Sequence, residues 1–421
     1  MKRVRLLLVV FLTLSIFGCD NPIEKHTITA KEILVNPSFQ AISYGGYREL
    51  TREIQPTTQE LKEDMKILQA LGIKILRTYN VHFAQAENLL KAIKALKDED
   101  DNFEMYVMLG AWIDCKNAFD FENGKPNHEE ENERNAIEIK TAVKLSQQYP
   151  DIVKILAVGN EAMVRWATSY YVQPKVILKW VNHLQDLKKE GGLPIDLWIT
   201  SSDDYLSWGG GDPSYHTDDL NALIKAVDYV SMHTYPMHNS YYNPEFWEVP
   251  VEEQMLPDFE KINKAMERAI KFAQSQFQSV SAYVKSIDST KTVHIGESGW
   301  ASASNGFYGR DYSNAADEYK AGEYYRRMRA WTNEAQISLF YFEIFDEQWK
   351  DAANLGGSEN HFGLINLEGQ AKFALWDFVD YGTLNGLKRD GKTITKTHAG
   401  DFQALREKVL SQIPVLQKNN Q

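Results

Sequence analysis

Cysteine is scarce in this chain of 421 residues, which contains only Cys19 and Cys115. Processing at Cys19, argued below, leaves Cys115 as a free thiol, so no intrachain disulfide is expected. This excludes the disulfide-rich secreted scaffolds, which use cross-links to compensate for a small core. A chain of this length is long enough to bury a sufficient core without them.

Positive charge is also in short supply. The chain has 46 Lys and Arg against 58 Asp and Glu, which gives a formal net charge of −12. Nucleic acids and anionic membrane surfaces require a basic patch, so this balance argues against both and favours a neutral ligand. After residue 18 no apolar run suggests a second membrane span, and the chain has no internal repeat.

The one long apolar run is Leu6–Phe17, which follows three basic residues at positions 2, 3 and 5. It has the form of a targeting segment and is excluded from fold prediction. It ends at Ile16-Phe-Gly-Cys19, which looks like a bacterial lipoprotein cleavage box with Cys19 as the lipidated first residue. An ordinary signal peptide with a chance cysteine is the alternative.

We therefore predict a lipoprotein signal peptide over residues 1–18 and a polar tether over residues 19–35. Loss of residues 1–18 removes three positive charges and takes the formal net charge from −12 to −15. The expected location is the bacterial cell envelope, at the outer membrane, with the lipid as the only membrane contact.

The rest of the chain alternates short apolar runs with longer amphipathic ones, the pattern of repeated βα units. The strand candidates are Ala41–Tyr44, Ile73–Tyr79, Glu104–Leu109, Val153–Val158, Asp196–Thr200, Tyr229–His233, Thr292–Ile295 and Ile337–Phe345. The helix candidates are Thr58–Leu71, Ala84–Leu96, Glu130–Gln148, Pro174–Lys189, Asp218–Ala226, Phe259–Ile287, Ala315–Glu334 and Ala371–Val379. Thr57 or Thr58 is the expected cap of the first helix, and Pro174 opens the fourth.

This alternation predicts an α/β fold, a single (β/α)8 TIM barrel over residues 36–421. Its tail, from about residue 382, lacks strand signal and is expected to pack as helix and loop. A doubly wound sheet is the competing architecture, but no Gly-rich phosphate loop follows the first strand. Long loops at 113–133, 203–218 and 236–256 follow strand ends and should shape a cleft on the catalytic face.

Two glutamates stand where predicted strands end. Glu161 follows Asn160 at the end of the fourth strand candidate, and Glu297 ends the seventh. Strands four and seven face each other across the top of a closed barrel, and retaining glycosidases place two carboxyl groups about 5–5.5 Å apart. We assign Glu297 as nucleophile and Glu161 as general acid/base. Asn160 is placed to hydrogen-bond the 2-hydroxyl of a sugar.

Seven strings in order carry a family resemblance. They are Ser43-Tyr-Gly-Gly, Ile73-Lys-Ile-Leu-Arg-Thr-Tyr79, Val107-Met-Leu-Gly110, Ile155-Leu-Ala-Val-Gly-Asn-Glu161, Ile295-Gly-Glu-Ser-Gly-Trp300, Phe345-Asp-Glu-Gln-Trp-Lys350 and His361-Phe-Gly-Leu364. Over residues 38 to 380 the chain resembles glycoside hydrolase family 17, the β-1,3-glucanases and related transglycosylases. The resemblance implies the same roles for Glu161 and Glu297, a β-glucan substrate and no cofactor.

The resemblance also implies a set of substrate-binding residues. Glu347 and Lys350 would belong to the charged network beside the nucleophile, and Tyr235 would hydrogen-bond it. Arg77 and Tyr79 match positions on the cleft floor, with a structural ion pair and a core aromatic as the alternatives. Tyr44, in the first string, is likewise expected at the cleft.

Five tryptophans are candidate sugar platforms, because a pyranose packs its C–H groups on an indole. Trp300 and Trp349 are placed in the cleft by their motifs, and Trp112 is a further candidate. For Trp208 and Trp247 loop packing is an equal alternative. Two departures from the plant enzymes, His233 for Asn and Ala301 for Pro, would alter the shape of the subsites.

Other chemistries fit less well. Acidic residues and His361 cluster near position 346, but their spacing matches no zinc signature and we expect no catalytic metal; a structural Ca²⁺ in the acidic loops stays open. Ser298 lacks the Gly-x-Ser-x-Gly frame of a serine hydrolase.

Three functions therefore remain, with hydrolysis of β-1,3-glucan first. The second is glucan transglycosylation, which Arg165 and His233 keep open. The third is glycan binding by an inactive surface lipoprotein, which the presence of both carboxylates disfavours.

Overall fold

The computed structural model describes residues 28–122 and 124–413. Its centre is a closed barrel of eight parallel strands in which the last strand pairs with the first. The strands are β1 (Gln40–Ser43), β2 (Ile73–Arg77), β3 (Tyr106–Ala111), β4 (Val153–Asn160), β5 (Trp198–Asp204), β6 (Val230–His233), β7 (Val293–Gly299) and β8 (Leu339–Phe342). The predicted (β/α)8 barrel is confirmed.

Helices surround the barrel. They are α1 (Ala30–Leu34), α2 (Thr58–Ala70), α3 (Ala84–Glu99), α4 (Arg134–Gln148), α5 (Pro174–Lys189), α6 (Asp218–Ala226), α7 (Pro236–Tyr242), α8 (Asp258–Ile287), α9 (Glu318–Glu334), α10 (Trp376–Asp380) and α11 (Phe402–Arg406). Short 3₁₀ helices lie at Pro213–Tyr215, Pro244–Phe246, Val251–Glu253, Ser358–His361, Phe373–Leu375 and Thr397–Gly400. In the part of the chain that the structure describes, no helix combines the length and apolar character needed to cross a membrane.

The ends of two helices follow from their sequences. Thr57 caps α2 in a capping box: its hydroxyl accepts from the Glu60 N–H, and the Glu60 carboxylate accepts from the Thr57 N–H. The choice between Thr57 and Thr58 is thereby settled for Thr57. Pro174 occupies the first turn of α5, as predicted, where its missing N–H costs no hydrogen bond.

The apolar core has two layers. The larger layer lies between the strands and the surrounding helices. A smaller cluster fills the barrel interior with inward side chains such as Ile75 and Ile155, and Ala30, Ile33 and Leu34 of α1 pack against it. Helix α1 thus covers one end of the barrel with residues from the stretch predicted as tether, whose earlier part lies outside the described residues, as does the signal peptide with Cys19.

Most predicted elements differ from the observed ones by a few residues at one end or both, and short antiparallel or parallel strand pairs account for three of the differences. Helix α4 begins at Arg134 rather than at residue 130, because Asn127–Glu131 pairs antiparallel with Cys115–Lys116. Helix α10 begins at Trp376 rather than at residue 371, because Gln370–Ala371 pairs with Thr395–Lys396. The tail also contains the pair Lys388–Arg389 and Lys392–Thr393. Strands of two residues are too short to produce an alternating pattern.

Candidate active site

The carboxyl ends of the parallel strands bring Glu161 and Glu297 together. Glu297 lies in β7, and Glu161 follows the last residue of β4. One carboxylate oxygen of each, together with a ring nitrogen of His233 from β6, lie within 4.8 Å of one another. Two carboxyl groups therefore face a common space at the end of the barrel where such folds carry their chemistry.

The backbone leaves β4 abruptly at the first of these glutamates. Glu161 has a φ of 45° and Gly159 a φ of 82°, both in the left-handed region. Glycine adopts this conformation freely, whereas a glutamate does so only when its surroundings hold it there. The Glu161 N–H donates to the Ser202 carbonyl of β5 at 3.0 Å, which fixes the turn.

Glu297 is buried and surrounded by donors. The Arg77 guanidinium contacts its Oε2, the Tyr79 hydroxyl donates to the same oxygen at 2.8 Å, and the Tyr235 hydroxyl donates to Oε1 at 2.6 Å. Burial by itself raises the pKa of Glu297, but nearby positive charge and these hydrogen bonds outweigh it and lower the pKa to about 2. Glu297 is therefore ionised at neutral pH.

Glu161 has the opposite protonation state. Burial and the negative charge of Glu297 raise its pKa to about 8, against a smaller lowering by Arg77. At neutral pH it carries a proton. The pair thus consists of one carboxylate and one carboxylic acid, the division of labour that acid/base and nucleophilic roles require.

His233 connects Glu161 to the barrel interior. Its Nδ1 lies 3.0 Å from Glu161 Oε1, and its Nε2 lies 2.8 Å from the Ser202 hydroxyl, which is 2.9 Å from the Ser231 hydroxyl. Burial lowers the pKa of His233 to about 4. The ring is therefore neutral at pH 7, and the cation that acts on Glu297 at that pH is Arg77.

Arg77 also holds Asn160. One guanidinium nitrogen contacts the Asn160 side-chain oxygen, and another donates to the Gly296 carbonyl at 3.1 Å. This leaves the amide nitrogen of Asn160 to donate elsewhere. Of the predicted site residues, the structure thus brings Asn160, Arg77, Tyr79 and Tyr235 to the carboxylate pair.

Glu347, Trp349 and Lys350 form a separate cluster. Lys350 pairs with Glu343 and lies 3.8 Å from Glu347, which also accepts from the Trp349 indole at 2.7 Å. The Lys350 ammonium lies 4.1 Å from the centre of the Phe342 ring, and that ring contacts Tyr79 and Tyr235 edge-on. Among the described ion pairs the partner of Glu297 is Arg77, so the network predicted beside Glu297 does not contact it through Lys350.

Two residues predicted to bind substrate, Trp300 and Tyr44, are buried away from the cleft. Trp300 is 1% exposed, donates to the Ala315 carbonyl and packs on Tyr324 of α9. Tyr44 is also 1% exposed and donates to Asp64 of α2 at 2.9 Å. Side chains alternate across a strand: Glu297 faces the barrel axis, so Trp300, three positions on, faces the helices.

Of the other four candidate tryptophans, two are buried and two are partly exposed. Trp208 and Trp247 are buried and donate to the Ser231 and Ser313 carbonyls, so loop packing is correct for both. Trp112 and Trp349 are partly exposed and stay candidates for contact with a sugar.

Sequence reasoning missed several groups at the cleft. His233 was noticed only as a departure from the plant pattern, without its contact to Glu161. Burial and the negative charges of Glu161, Asp203 and Glu297 raise the pKa of Tyr170, which lies in the loop after β4. No strand end or motif marks Tyr170, so the sequence contains no signal for it.

The same three residues, Glu161, His233 and Glu297, also form the described group whose ligand atoms are close enough to hold a cation. The fit is poor, because Arg77 already supplies positive charge at Glu297 Oε2 and two tyrosine hydroxyls donate to the carboxylate. Because hydrogen-bond donors already surround the Glu297 carboxylate, this group is better suited to react as an anion than to bind a metal ion.

Comparison with known proteins places these residues within a family model. Residues 41–363 match the model described as the BtgE/BtgC glycoside hydrolase domain. A probable glucan endo-1,3-beta-glucosidase, btgC, of Aspergillus fumigatus is 24% identical over 363 residues, covering 82% of this chain and 45% of the fungal protein. The chain therefore spans less than half the length of the curated relatives it matches.

Solved structures are also similar. An endo-laminarinase from Formosa Hel1_33_131 is 59% identical, with a TM-score of 0.91 over 93% of this chain and 100% of that one. A family 17 β-1,3-glucanosyltransferase from Rhizomucor miehei is 20% identical, with a TM-score of 0.54 over 80% of this chain and 96% of the fungal one. At that identity the second comparison shows a shared fold.

Proposed function

Because the chain belongs to the family defined by the BtgE/BtgC glycoside hydrolase domain, we propose that it is a retaining endo-hydrolase of β-1,3-glucosidic bonds in laminarin-like glucans. The resemblance to glycoside hydrolase family 17 is thereby confirmed, and the 59% identity to an endo-laminarinase supports the substrate and the internal cleavage. The observation that carries the proposal is that carboxylate oxygens of Glu161 and Glu297 lie within 4.8 Å of each other at the carboxyl ends of their strands. The raised pKa of Glu161 and the lowered pKa of Glu297 are consistent with the roles of acid and nucleophile.

The first step of the reaction assigns each glutamate its role. Glu297 attacks the anomeric carbon, and Glu161 gives its proton to the leaving glycosidic oxygen, so a covalent glycosyl-enzyme forms. Glu297 is kept ionised by Arg77, Tyr79 and Tyr235, and their contacts to both carboxylate oxygens fix the orientation of the group. The free amide nitrogen of Asn160 donates to the sugar 2-hydroxyl, an interaction that strengthens in the transition state.

The second step returns the enzyme to its starting state. Glu161, now a carboxylate, takes a proton from a water molecule as the water oxygen attacks the anomeric carbon, and the bond to Glu297 breaks. Two inversions leave the product with the β configuration. His233 holds the Glu161 side chain in place for both proton transfers.

Transglycosylation has less support. Arg165, which kept it open at the sequence level, donates to the Ser214 hydroxyl and carbonyl at 2.7 and 2.9 Å and lies over the Tyr215 ring. His233 is engaged by Glu161 and Ser202. Both ring nitrogens of His233 are therefore engaged, and two of the five N–H donors of Arg165 are directed at Ser214.

We also propose, from the sequence, that the mature protein begins at a lipidated Cys19 and is anchored in the bacterial envelope. A glucan-degrading enzyme on the cell surface would act where polysaccharide arrives. Mass spectrometry of the N-terminal peptide from envelope fractions tests this; an unmodified thiol at Cys19 would refute it.

The test of the reaction is a product time course on laminarin with the anomeric configuration followed by ¹H NMR. We expect oligosaccharides of falling size, first released as the β anomer. Glu297→Ala and Glu161→Gln should abolish release, whereas Glu190→Gln, an exposed glutamate beyond the end of α5, should not. Products longer than an added oligosaccharide donor would show transglycosylation, and wild-type protein that releases no sugar would overturn the proposal.

A further inference from the structure

Four exposed aromatic rings form a patch beside the catalytic cleft. Tyr241 and Tyr242 end α7, which follows β6, and Phe307 and Tyr312 lie in the loop between β7 and α9. Their exposed fractions are 38%, 63%, 46% and 47%. Contiguous apolar surface of this kind is uncommon on soluble proteins unless something binds there. These four residues are called the aromatic platform below.

The rings support one another. Tyr241 and Phe307 stack with centroids 4.4 Å apart and planes 14° from parallel. Tyr242 meets Tyr241 edge-on at 5.2 Å, and Tyr312 meets Phe307 at 6.0 Å. Two separate loops therefore build one surface, and the mutual packing limits the conformational entropy that binding would cost.

A row of rings connects the platform to the reacting groups. Tyr235, which donates to Glu297, stacks on His238 at 4.9 Å, and His238 stacks on Tyr308 at 5.3 Å. The Tyr308 hydroxyl in turn lies near Tyr242: after burial, the interactions with Tyr242 and Glu359 raise the pKa of Tyr308. The platform thus lies at the outer end of a continuous aromatic wall that starts at the nucleophile.

The chemistry of this surface fits a neutral sugar polymer. Ring faces accept the C–H faces of pyranoses, and the tyrosine hydroxyls at the ring edges hydrogen-bond sugar hydroxyls. A protein with a net charge of −12 is not attracted to an anionic lipid surface. We propose that the aromatic platform binds a segment of β-glucan several residues away from the bond being cleaved. This inference rests on the proposed function, since the polymer held there is the polymer that is cut.

The test compares a polymer with a substrate too short to reach the platform. Tyr241→Ala/Phe307→Ala should raise KM on laminarin about tenfold, the effect of losing two well-packed aromatic contacts, with kcat unchanged. The same variant should cleave an aryl β-laminaribioside with wild-type kcat/KM. Tyr381→Ala, an 84% exposed ring beyond α10, is the matched control and should change neither.

Binding separates this inference from the proposed function. In a Glu297→Ala background, affinity electrophoresis through laminarin should show retardation that the platform variant loses and Tyr381→Ala keeps. This result would support the platform even if the wild type failed to hydrolyse laminarin. Equal losses on the polymer and the aryl glycoside, or no loss on either, would overturn it. So would retention on phosphatidylglycerol vesicles in place of laminarin.

Discussion

Two glutamates in one cleft hold different protonation states, one negative and one neutral, because they have different neighbours. Glu297 receives a guanidinium and two tyrosine hydroxyls, and Glu161 receives none of these and faces the charge of Glu297. Each group therefore reinforces the state of the other: ionised Glu297 keeps Glu161 protonated. In the proposed mechanism, the nucleophile and the acid would both follow from this one electrostatic arrangement.

The pH dependence of kcat/KM should reflect this division. Activity should rise as the pH increases through about 2, where Glu297 ionises, and fall as it increases through about 8, where Glu161 loses its proton. Initial rates on laminarin across the neutral and alkaline range test the second limb. In Glu161→Gln, assayed with an aryl glycoside whose leaving group needs no proton, that limb should disappear. A wild-type profile that falls near the ordinary pKa of glutamate, about 4.3, would contradict the assignment.

His233 should act by positioning Glu161. His233→Asn removes the bridge from Glu161 to Ser202, and leaving a buried polar group without its hydrogen bond costs about 1–3 kcal/mol, so kcat should fall about fivefold to a hundredfold. KM should change little, and the alkaline limb should shift. His294→Asn is the control, since His294 is equally buried but accepts from the Ser338 N–H. An unchanged kcat and pH profile would show that Glu161 needs no such support.

Strand ends made much of this site predictable. Glu161, Glu297, Arg77 and Tyr235 all lie at or just beyond the carboxyl end of a strand, where a barrel collects its reactive groups. The predictions for Trp300 and Tyr44 are wrong because both residues lie in the strings that carry the family resemblance, next to the site, but side-chain alternation turns them away from the cleft. The contact of His233 with Glu161 could not be predicted from the sequence, because the pairing of β4 with β5 shifts between Ala157 and Asn160 and Glu161 then turns into the left-handed region.

At the scale of elements, the backbone of β7 at Gly296 lies close to side chains of β5 and β6. A Cβ on Gly296 would collide with the hydroxyls of Ser231 and Ser202, the two groups behind His233. Glycine is required at position 296 because the two serine hydroxyls already fill the space that a Cβ atom would need. Strand packing and acid/base positioning are therefore one constraint.

Gly296→Ala should consequently damage both stability and activity. Overpacking of a tight interior costs about 1–3 kcal/mol in the free energy of unfolding, measured by urea denaturation. Displaced serines should also lower kcat. Ser231→Gly added to this variant should recover part of the stability. Gly306→Ala is the control and should be neutral, because the nearest atom to its new Cβ is the Ser304 hydroxyl oxygen at 3.9 Å. Equal stability of both alanine variants would show that the strand adapts.

Elements with a strong period were predictable, and short ones were not. Helix α5 has the predicted bounds, Pro174–Lys189, because its apolar stripe and its proline mark it. Helix α1 has only five residues, and the sequence predicts part of a polar tether at that position. Its role in covering the barrel depends on contacts with strands far along the chain, which no local pattern encodes.

At the scale of the whole molecule, charge and cleft chemistry point to the same ligand. The chain carries −12 overall, and the cleft contains aromatic rings and acidic groups. The rate at which a neutral glucan associates with the protein is not changed by this long-range electrostatic field. An anionic polysaccharide would be repelled at long range, so under the proposed function we expect the acidic balance to favour neutral substrates.

Salt should therefore discriminate between substrates. The Debye length falls from about 10 Å at 0.1 M salt to about 3 Å at 1 M, so added salt removes long-range repulsion and leaves contacts within the cleft. We expect kcat/KM on neutral laminarin to change less than about twofold over this range, and kcat/KM on a carboxymethylated β-1,3-glucan to start lower and rise with salt. Initial rates on both polymers of matched length measure this. A carboxymethylated glucan that is cleaved as fast as laminarin at low salt would show that the negative field does not select the substrate.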